Sequence, residues 1–392
     1  MKETDLNLLK TVGIFNDTYP PIMDGVAIAA QNYAYWIDRQ SVPVCVVTLK
    51  APNHVDTAPY PVYRYSSLPL VIRKPYRLGL PDIDLAINEK LDLIPFGLIH
   101  AHCPFSSGTL ARRITKERKI PLVATFHSKF QDDFERAVHN KQVAKLMVKE
   151  VVRFFEKADE VWIPQAAVED TIREYGFSGK VEVVENGTDF VSNEDISPIK
   201  TAVREKLQVA DNELMLLFVG QHIWEKNTRL IIETLATIKD LPFKMFFVGT
   251  GYAELEMKTL CQELKLSEKV MFQGLVLDRE VLKQYYAAAD LFLFPSLYDN
   301  APLVVREAAA LQTPAIVVKN STTAEIIEDN MNGFLIENTV ESFSQKLREL
   351  SNHPQKMLSA GINASHTVAR SWENVVDEVL DRYVQLIKRK KM

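Results

Sequence analysis

Cysteine is scarce: Cys45, Cys103 and Cys261 are the whole complement, at neither metal-ligand nor disulfide spacing. That excludes a disulfide scaffold and a Cys-rich metal domain, and it fits a reducing cytosol. No apolar run approaches the roughly 20 residues that cross a bilayer. The opening MKETDLNLLKTVGIF is too polar for a secretory signal. These absences predict a cytoplasmic protein that meets a membrane, if at all, only from its surface on the inner face. An excess of one charge is also missing. The 46 Lys and Arg stand against 51 Asp and Glu, a net −5, which leaves no electrostatic footprint for nucleic acid. What is present is a 392-residue chain, 47% apolar and 25% charged, of globular composition and too long for one ordinary domain.

Short β-branched runs alternate with helical periodicity along the chain. Strands are predicted at 11–15, 44–48, 98–101, 122–126, 160–163 and 180–184, with helices at 25–38, 107–119 and 141–158. The pattern then restarts, with strands at 214–219, 243–248, 270–273, 291–294 and 315–318 and helices at 228–239, 253–264, 278–288 and 303–310. Such alternation argues for parallel sheets covered on both faces. The fold class is therefore α/β: two doubly wound, Rossmann-like domains in tandem, with a catalytic site expected in the cleft at the C-terminal ends of their strands. The polar, aperiodic stretch 186–200 is expected to be the linker. The last helix, 372–390, carries a 3.6-residue stripe through Val375, Val376, Val379, Leu380, Tyr383, Val384 and Ile387. Its basic end, Lys388-Arg389-Lys390-Lys391, is read as a solvated terminus that complements the helix dipole.

The stretch 294–314, FPSLYDNAPLVVREAAALQTP, carries the most chemistry. A strand ends at Pro295-Ser296, a loop holds Asp299 and Asn300, and a helix opens beside Pro302 with Glu307 one turn further in. A helix N-terminus behind a strand is where an α/β protein holds phosphate. Acids placed there repel phosphate and suit sugar hydroxyls instead, so the stretch points to a nucleotide-sugar site. A glycine-rich loop is absent. The first strand-to-helix loop has Gly25 alone where a dinucleotide fingerprint would have three glycines. In His100-Ala101-His102-Cys103 the alternating histidines lack a further ligand at metal spacing. His127, at the end of a strand, is a candidate for contacting substrate. Lys226, just before a helix, is a mobile cation suited to a diphosphate leaving group.

Taken in order, these elements resemble the retaining glycosyltransferases of family 4, including bacterial diacylglycerol glucosyltransferases. The E-x7-E element falls on Asp299 and Glu307, G-R-x-x-x-E-K-N on 220–227, and N-G-x-D on 186–189. V-G-x-G falls on 248–251, F-x-G on 272–274, A-T-F-H on 124–127, and S-W-E on 371–373. The resemblance implies the two-domain GT-B fold: an acceptor-side domain over 1–190, a nucleotide-sugar domain over 191–371, and a helix, 372–392, packing back on the first. It also implies roles. Glu307 holds the ribose, Asp299 the donor sugar, and the backbone near Asn300, Ala301 and Leu303 the diphosphate. Lys226 neutralises the leaving group, Val276 lines the base through its main chain, and Gly25 lets its loop approach the phosphates. His127 hydrogen-bonds the sugar and, through its carbonyl, supports the anomeric carbon.

Five positions depart from the family pattern. Gln221 replaces an arginine, Asp299 a glutamate, Asn300 and Pro302 a pair of glycines, and Gln312 another glycine. All are expected at the donor pocket. The resemblance implies UDP-glucose as donor, with a GDP-sugar as the other base, no metal or other cofactor, and a hydroxyl acceptor on a lipid or glycan. A basic loop, Arg73-Lys74-Pro75-Tyr76-Arg77, is a candidate for lipid headgroups. Two other readings stay open at this point: a sugar-nucleotide epimerase of the same fold, and a weakly active donor-binding subunit.

Overall fold

The computed structural model describes residues 3–70, 76–191 and 194–391. The chain forms two compact units: Met1–Asn186 with Trp372–Met392, and Gly187–Ser371. In chain order the strands are β1 (Thr11–Phe15), β2 (Val44–Leu49), β3 (Val62–Tyr65), β4 (Ser67–Pro69), β5 (Arg77–Gly79), β6 (Phe96–Ala101), β7 (Leu122–Thr125), β8 (Glu160–Ile163) and β9 (Val181–Val183), then β10 (Leu214–Val219), β11 (Phe243–Val248), β12 (Val270–Gly274), β13 (Leu291–Leu293), β14 (Ala315–Val318) and β15 (Gly333–Ile336). The helices are α1 (Glu3–Leu9), α2 (Gly25–Arg39), α3 (Leu85–Asp92), α4 (Ser106–Arg118), α5 (Phe130–Val138), α6 (Lys141–Phe155) and α7 (Val168–Glu174), then α8 (Ser197–Lys206), α9 (Thr228–Thr237), α10 (Glu254–Glu263), α11 (Arg279–Ala288), α12 (Leu303–Ala310), α13 (Val340–Ser351), α14 (Pro354–Thr367) and α15 (Trp372–Lys391).

Each unit is built on one parallel sheet. The first has the order β3-β2-β1-β6-β7-β8-β9 and the second β12-β11-β10-β13-β14-β15. The central strands are buried on both faces, as continuous apolar runs such as LMLLFV of β10 require. In each order the winding reverses once, between β1 and β6 and between β10 and β13. The crevice outside those strand ends is where a doubly wound sheet receives its ligand.

The expected linker at 186–200 is corrected by the structure. Thr188 donates its N–H to the Arg370 carbonyl at 2.8 Å, and Phe190 is 4% exposed in the second unit's core. From Ser197 the chain is already helical, because Pro198 stands in the first turn of α8, where its missing N–H costs nothing. Lys200 and Arg204 of α8 then reach Asp290 at 2.8 Å each, just before β13. Burial alone would raise the Asp290 pKa, and the two cations pull it below the usual carboxylate range instead.

The basic tail differs too. Lys390 lies 2.6 Å from Asp159, and Arg389 pairs with Glu160, so the end of α15 is tied to the start of β8. Of the basic loop, Arg73, Lys74 and Pro75 lie outside the described residues. Arg77 donates to the Ser67 hydroxyl at 2.7 Å and carbonyl at 2.8 Å, within the small β4–β5 ribbon. Among the described residues no helix is long and apolar enough to cross a membrane.

Candidate functional site

At the switch point of the second unit, β10 and β13 end side by side. The loop after β10 holds Lys226 in a short 3-10 turn, Trp224–Lys226, closed by Asn227 in the left-handed region at φ 59. The loop after β13 holds Asp299. Lys226 Nζ donates to Asp299 Oδ1 at 2.6 Å and lies 5.3 Å from the Phe294 ring centroid. The other carboxylate oxygen accepts from Ser296 Oγ at 2.6 Å, and the Asp299 carbonyl accepts from Thr322 Oγ1 at 2.5 Å. Asp299 is thus fixed from three sides at the entrance to α12. That helix has Pro302 as its N-cap and no side-chain cap; Val305 N–H turns back to the Pro302 carbonyl at 3.3 Å, and the helix dipole at this end favours an anion.

Gly249, at the end of β11, shapes the neighbouring turn. It has φ 129, and a Cβ there would stand 2.0 Å from the Gly220 carbonyl, so only glycine permits the two strand exits to touch.

Glu307 lies one turn into α12 and is 3% exposed. Arg279 Nη2 donates to its Oε1 at 2.8 Å, and the Tyr286 hydroxyl donates to its Oε2 at 2.8 Å. Arg279 also forks onto Asp189, with Nε 3.0 Å from Oδ2, and its guanidinium carbon lies 4.2 Å over the Phe190 ring. Burial works against that charge, and Glu307 and Asp189 more than offset it, so the guanidinium holds its proton more tightly than usual. Burial and the neighbouring Glu307 push the Tyr286 hydroxyl well above its ordinary pKa, which keeps it a donor. The two acids of 294–314 therefore take different partners, Asp299 a lysine and Glu307 an arginine.

The other sequence-derived positions in this unit are placed as follows. Asn300 is buried at 5% and Leu303 at 7%, and Ala301 between them and the N-cap is half-buried, all at the start of α12. Gln221 is exposed after β10. Val276 packs half-buried against the core beyond β12. Gln312 does not join the group. It follows the C-terminal end of α12, about 12 Å along the axis from the first turn, with φ 56. A residue just past a helix end in the left-handed region is a capping position that glycine suits best, so this departure is a matter of backbone conformation and not of the donor pocket.

In the first unit, Gly25 is the first residue of α2, and a Cβ there would meet nothing within 4 Å. Asp24 caps that helix, its Oδ1 accepting from Ala27 N at 2.8 Å. The histidines lie across β6 and β7. Register pairs His100 with Val123, so the period of two sets His100 and His102 on the same face as Thr125 and His127. His100 is bracketed by the Tyr383 hydroxyl at 2.6 Å and Thr125 Oγ1 at 2.7 Å. Nδ1 of His102 and Nε2 of His127 lie 3.0 Å apart, their rings stacked with centroids at 5.3 Å. Among the described residues no group of three or more His, Cys, Asp or Glu is arranged to hold a metal ion.

Burial lowers the pKa of all three rings, His127 to about 4 and the other two well below 6.5, His100 and His102 further opposed by their histidine neighbours. The folded protein keeps them neutral where an unfolded chain would take up protons. Their contribution to stability is complete above pH 6.5 and is lost as pH falls toward 4, by about 3 kcal/mol for His127 alone at pH 4. Urea midpoints measured from pH 7.5 downward should begin to drop above pH 5, before ordinary carboxylates titrate. A flat midpoint through that window would refute the burial argument.

Arg279 and Tyr286 had no signal of their own in the sequence, and each acquires its place through a partner brought in by the packing of α11 and α12 on the sheet. In the sequence His102 stands only as a histidine without metal partners, and its place beside His127 comes from the pairing of β6 with β7. Ser296 stands there only as a strand end, and it meets Asp299 within its own loop.

Residues 199–367 match the family model described as Glycosyl transferases group 1, and residues 23–191 match that of Glycosyltransferase Family 4. The alpha-monoglucosyldiacylglycerol synthase of Streptococcus pneumoniae is 27% identical over 338 residues, spanning 83% of this chain and 74% of that protein. The enzyme of the same name from Acholeplasma laidlawii is 23% identical over 97% of this chain and 100% of its own. Among solved structures, sucrose-phosphate synthase of Thermosynechococcus elongatus superposes with a TM-score of 0.80 at 19% identity, covering 97% of this chain and 100% of the other. Anabaena Alr3699/HepE in complex with UDP and glucose gives 0.76 at 18%, over 95% and 99%. At these identities the structural likeness shows the fold.

Proposed function

This chain belongs to glycosyltransferase family 4, and on that premise we propose that it moves glucose from UDP-glucose to a hydroxyl of a lipid of the diacylglycerol class, with retention at the anomeric carbon and without a metal. The observation that carries the reading is the switch point of the second unit: Lys226 against Asp299 at the N-terminus of α12, with Glu307 held between Arg279 and Tyr286.

Arg279 and Tyr286 use one lone-pair site on each oxygen of Glu307 and leave one on each. That matches the two donors of a ribose diol. Asp299, one methylene shorter than a glutamate, accepts from sugar hydroxyls. The base is lined by main chain near Val276. The bond from glucose C1 to the β-phosphate oxygen breaks, and the charge that develops on that oxygen meets Lys226 and the amides of Asn300, Ala301 and Leu303. The exposed Gln221 leaves Lys226 as the fixed cation of its loop. The acceptor hydroxyl attacks C1 from the face the diphosphate leaves, and its proton passes to the departing phosphate, so no protein base is required. His127 hydrogen-bonds the hexose, and its carbonyl supports the positive charge at C1. Gly25 lets the start of α2 approach the phosphates, with open space where a Cβ would stand.

The uridine donor is supported by the UDP and glucose bound in the Anabaena neighbour, and the lipid acceptor by the named product of the two bacterial synthases. An α-glucoside is also what retention of an α-linked donor gives. A peripheral contact with anionic lipid is supported by the outer face of α6. There Lys141, Lys145, Lys149 and Arg153 flank Leu146, 62% exposed, and Val143, 41% exposed.

The test is a panel of nucleotide sugars, UDP-glucose and GDP-mannose among them, offered with diacylglycerol in vesicles with and without anionic lipid. UDP release and an α-glucosyl lipid, faster on anionic vesicles, is the expected result. An isomerised donor would make the chain an epimerase, and binding without turnover would make it a donor-binding subunit.

A further inference from the structure

Arg279 spends its N–H groups unevenly. Nε and Nη2 lie along one edge of the guanidinium, and Asp189 takes that edge, with Nε 3.0 Å from Oδ2 and Nη2 on Oδ1. The second hydrogen of Nη2 goes to Glu307 Oε1 at 2.8 Å. This uses Nε and both hydrogens of Nη2, and it leaves Nη1 without a partner among the described residues. The fork is rigid, so one N–H of Nη1 runs parallel to the Nη2 N–H that meets Glu307. In an ordinary arginine–carboxylate pair the second carboxylate oxygen would accept it. Here that oxygen, Oε2, accepts instead from the buried Tyr286 hydroxyl at 2.8 Å. The guanidinium is kept from turning by Asp189 and by the Phe190 ring, whose centroid lies 4.2 Å beneath its carbon. An unspent N–H therefore stands beside an unspent lone pair of Oε1, on a side chain that is 33% exposed.

A donor and an acceptor side by side suit a ligand group that is both. A hydroxyl is; an ionised phosphate oxygen only accepts. The local charge disfavours phosphate as well, because one guanidinium stands between two carboxylates, Asp189 and Glu307. We infer that Arg279 binds the nucleotide directly: one ribose hydroxyl donates to Glu307 Oε1 and accepts from Arg279 Nη1, so that it is recognised in both of its hydrogen-bonding roles. The inference rests on the ribose role given to Glu307 above. The other hydroxyl meets Oε2, whose neighbour Tyr286 has spent its O–H on Glu307. The two hydroxyls of the diol are thus held unequally. A nucleotide that lacks the doubly held one leaves a carboxylate and a guanidinium both short of a partner, which is how a site built on hydrogen bonds to a hydroxyl rejects the deoxy analogue. Arg279 is a specificity residue for ribonucleotides over deoxyribonucleotides.

The experiment is titration calorimetry of the full chain with UDP and with its 2′-deoxy, 3′-deoxy and 2′,3′-dideoxy analogues. A hydrogen bond to a charged group is worth about tenfold or more in affinity, so one monodeoxy analogue should bind about tenfold more weakly than the other. In Arg279→Lys the ammonium keeps a charge beside Asp189 and Glu307, but a point charge replaces the parallel pair of N–H groups. UDP should then bind about tenfold more weakly, and the gap between the two monodeoxy analogues should close. If Arg279 only supported Glu307, the lysine variant would weaken both analogues alike and keep the gap. That result overturns the proposal, as does equal binding of the two analogues by the wild type. The wild-type comparison is a test in its own right should the lysine variant not fold. A dideoxy analogue that binds wild type as tightly as UDP would remove the ribose from Glu307, and the proposal would fall with that reading. A weak dideoxy analogue beside two equal monodeoxy analogues would remove Arg279 alone.

Discussion

Lys226→Ala lowers kcat for sugar transfer by on the order of 10²–10³-fold, the usual loss when one charged donor to a developing oxyanion is removed. The expectation follows from position. Lys226 is held at the end of β10 by the left-handed turn at Asn227, and its ammonium lies 2.6 Å from Asp299 at the mouth of α12. Of its three donors, one is spent on Asp299 and the others remain for a diphosphate. Removal also strips Asp299 of its cation, with Ser296 left on the second oxygen. A drop in melting temperature is therefore expected alongside the loss of rate. Lys226→Gln separates the effects. The amide retains a hydrogen bond to Asp299 and most of the stability, while the rate stays low for want of charge. Near-full activity in either variant would mean that the leaving group departs somewhere else.

Glu307→Ala weakens UDP binding about 10²-fold. Two hydrogen bonds from a ribose diol to a carboxylate are worth together about 3 kcal/mol or more, and 1.4 kcal/mol is a factor of ten. Titration calorimetry checks this with UDP and with its 2′,3′-dideoxy analogue. The analogue should bind wild type and variant alike, because it lacks the hydroxyls at issue. Equal affinity of both proteins for UDP itself would remove Glu307 from the ribose. The substitution has a structural cost as well: the buried Tyr286 hydroxyl loses its acceptor, while Arg279 keeps Asp189. Glu307→Gln preserves an acceptor for Tyr286. It should keep the fold near wild type and still lose part of the affinity, since a neutral amide offers the diol fewer and weaker acceptors.

Much of this site could be read from the chain itself. Short apolar runs and helical stripes placed most of the central strands and the helices beside them to within a residue or two, because continuous burial and 3.6-residue periodicity leave a local signature. Lys226, Asp299 and Glu307 stood out because each sits at a strand exit or the helix that follows. The shorter pieces escaped. The aromatic pair Phe130 and Phe134 that anchors α5 covers a single turn, too little periodicity to separate a helix from a loop. The stretch 186–200 looked like a linker because it is polar, yet Phe190 and the start of α8 are structural parts of the second unit. Gln312 looked like a pocket departure because it stands near the motif in sequence, and the helix between them separates the two.

The sequence by itself determined the class of fold, the repetition of a strand-and-helix pattern, and the chemical types gathered at the strand exits. These are consequences of local periodicity and turn chemistry, which each segment carries within itself. The tertiary structure decided who meets whom. Lys226 finds Asp299 across 73 positions because β10 and β13 are neighbours at the switch point. Arg279 joins Asp189, 90 positions away, to Glu307, 28 positions away, because α11 and α12 pack on that same sheet. His102 reaches His127 because β6 and β7 pair in one register and no other. A one-residue slip would turn those side chains to the opposite face, and nothing local to either strand specifies the register. It is set by the burial of the whole sheet, which is why these partnerships had to be seen in three dimensions.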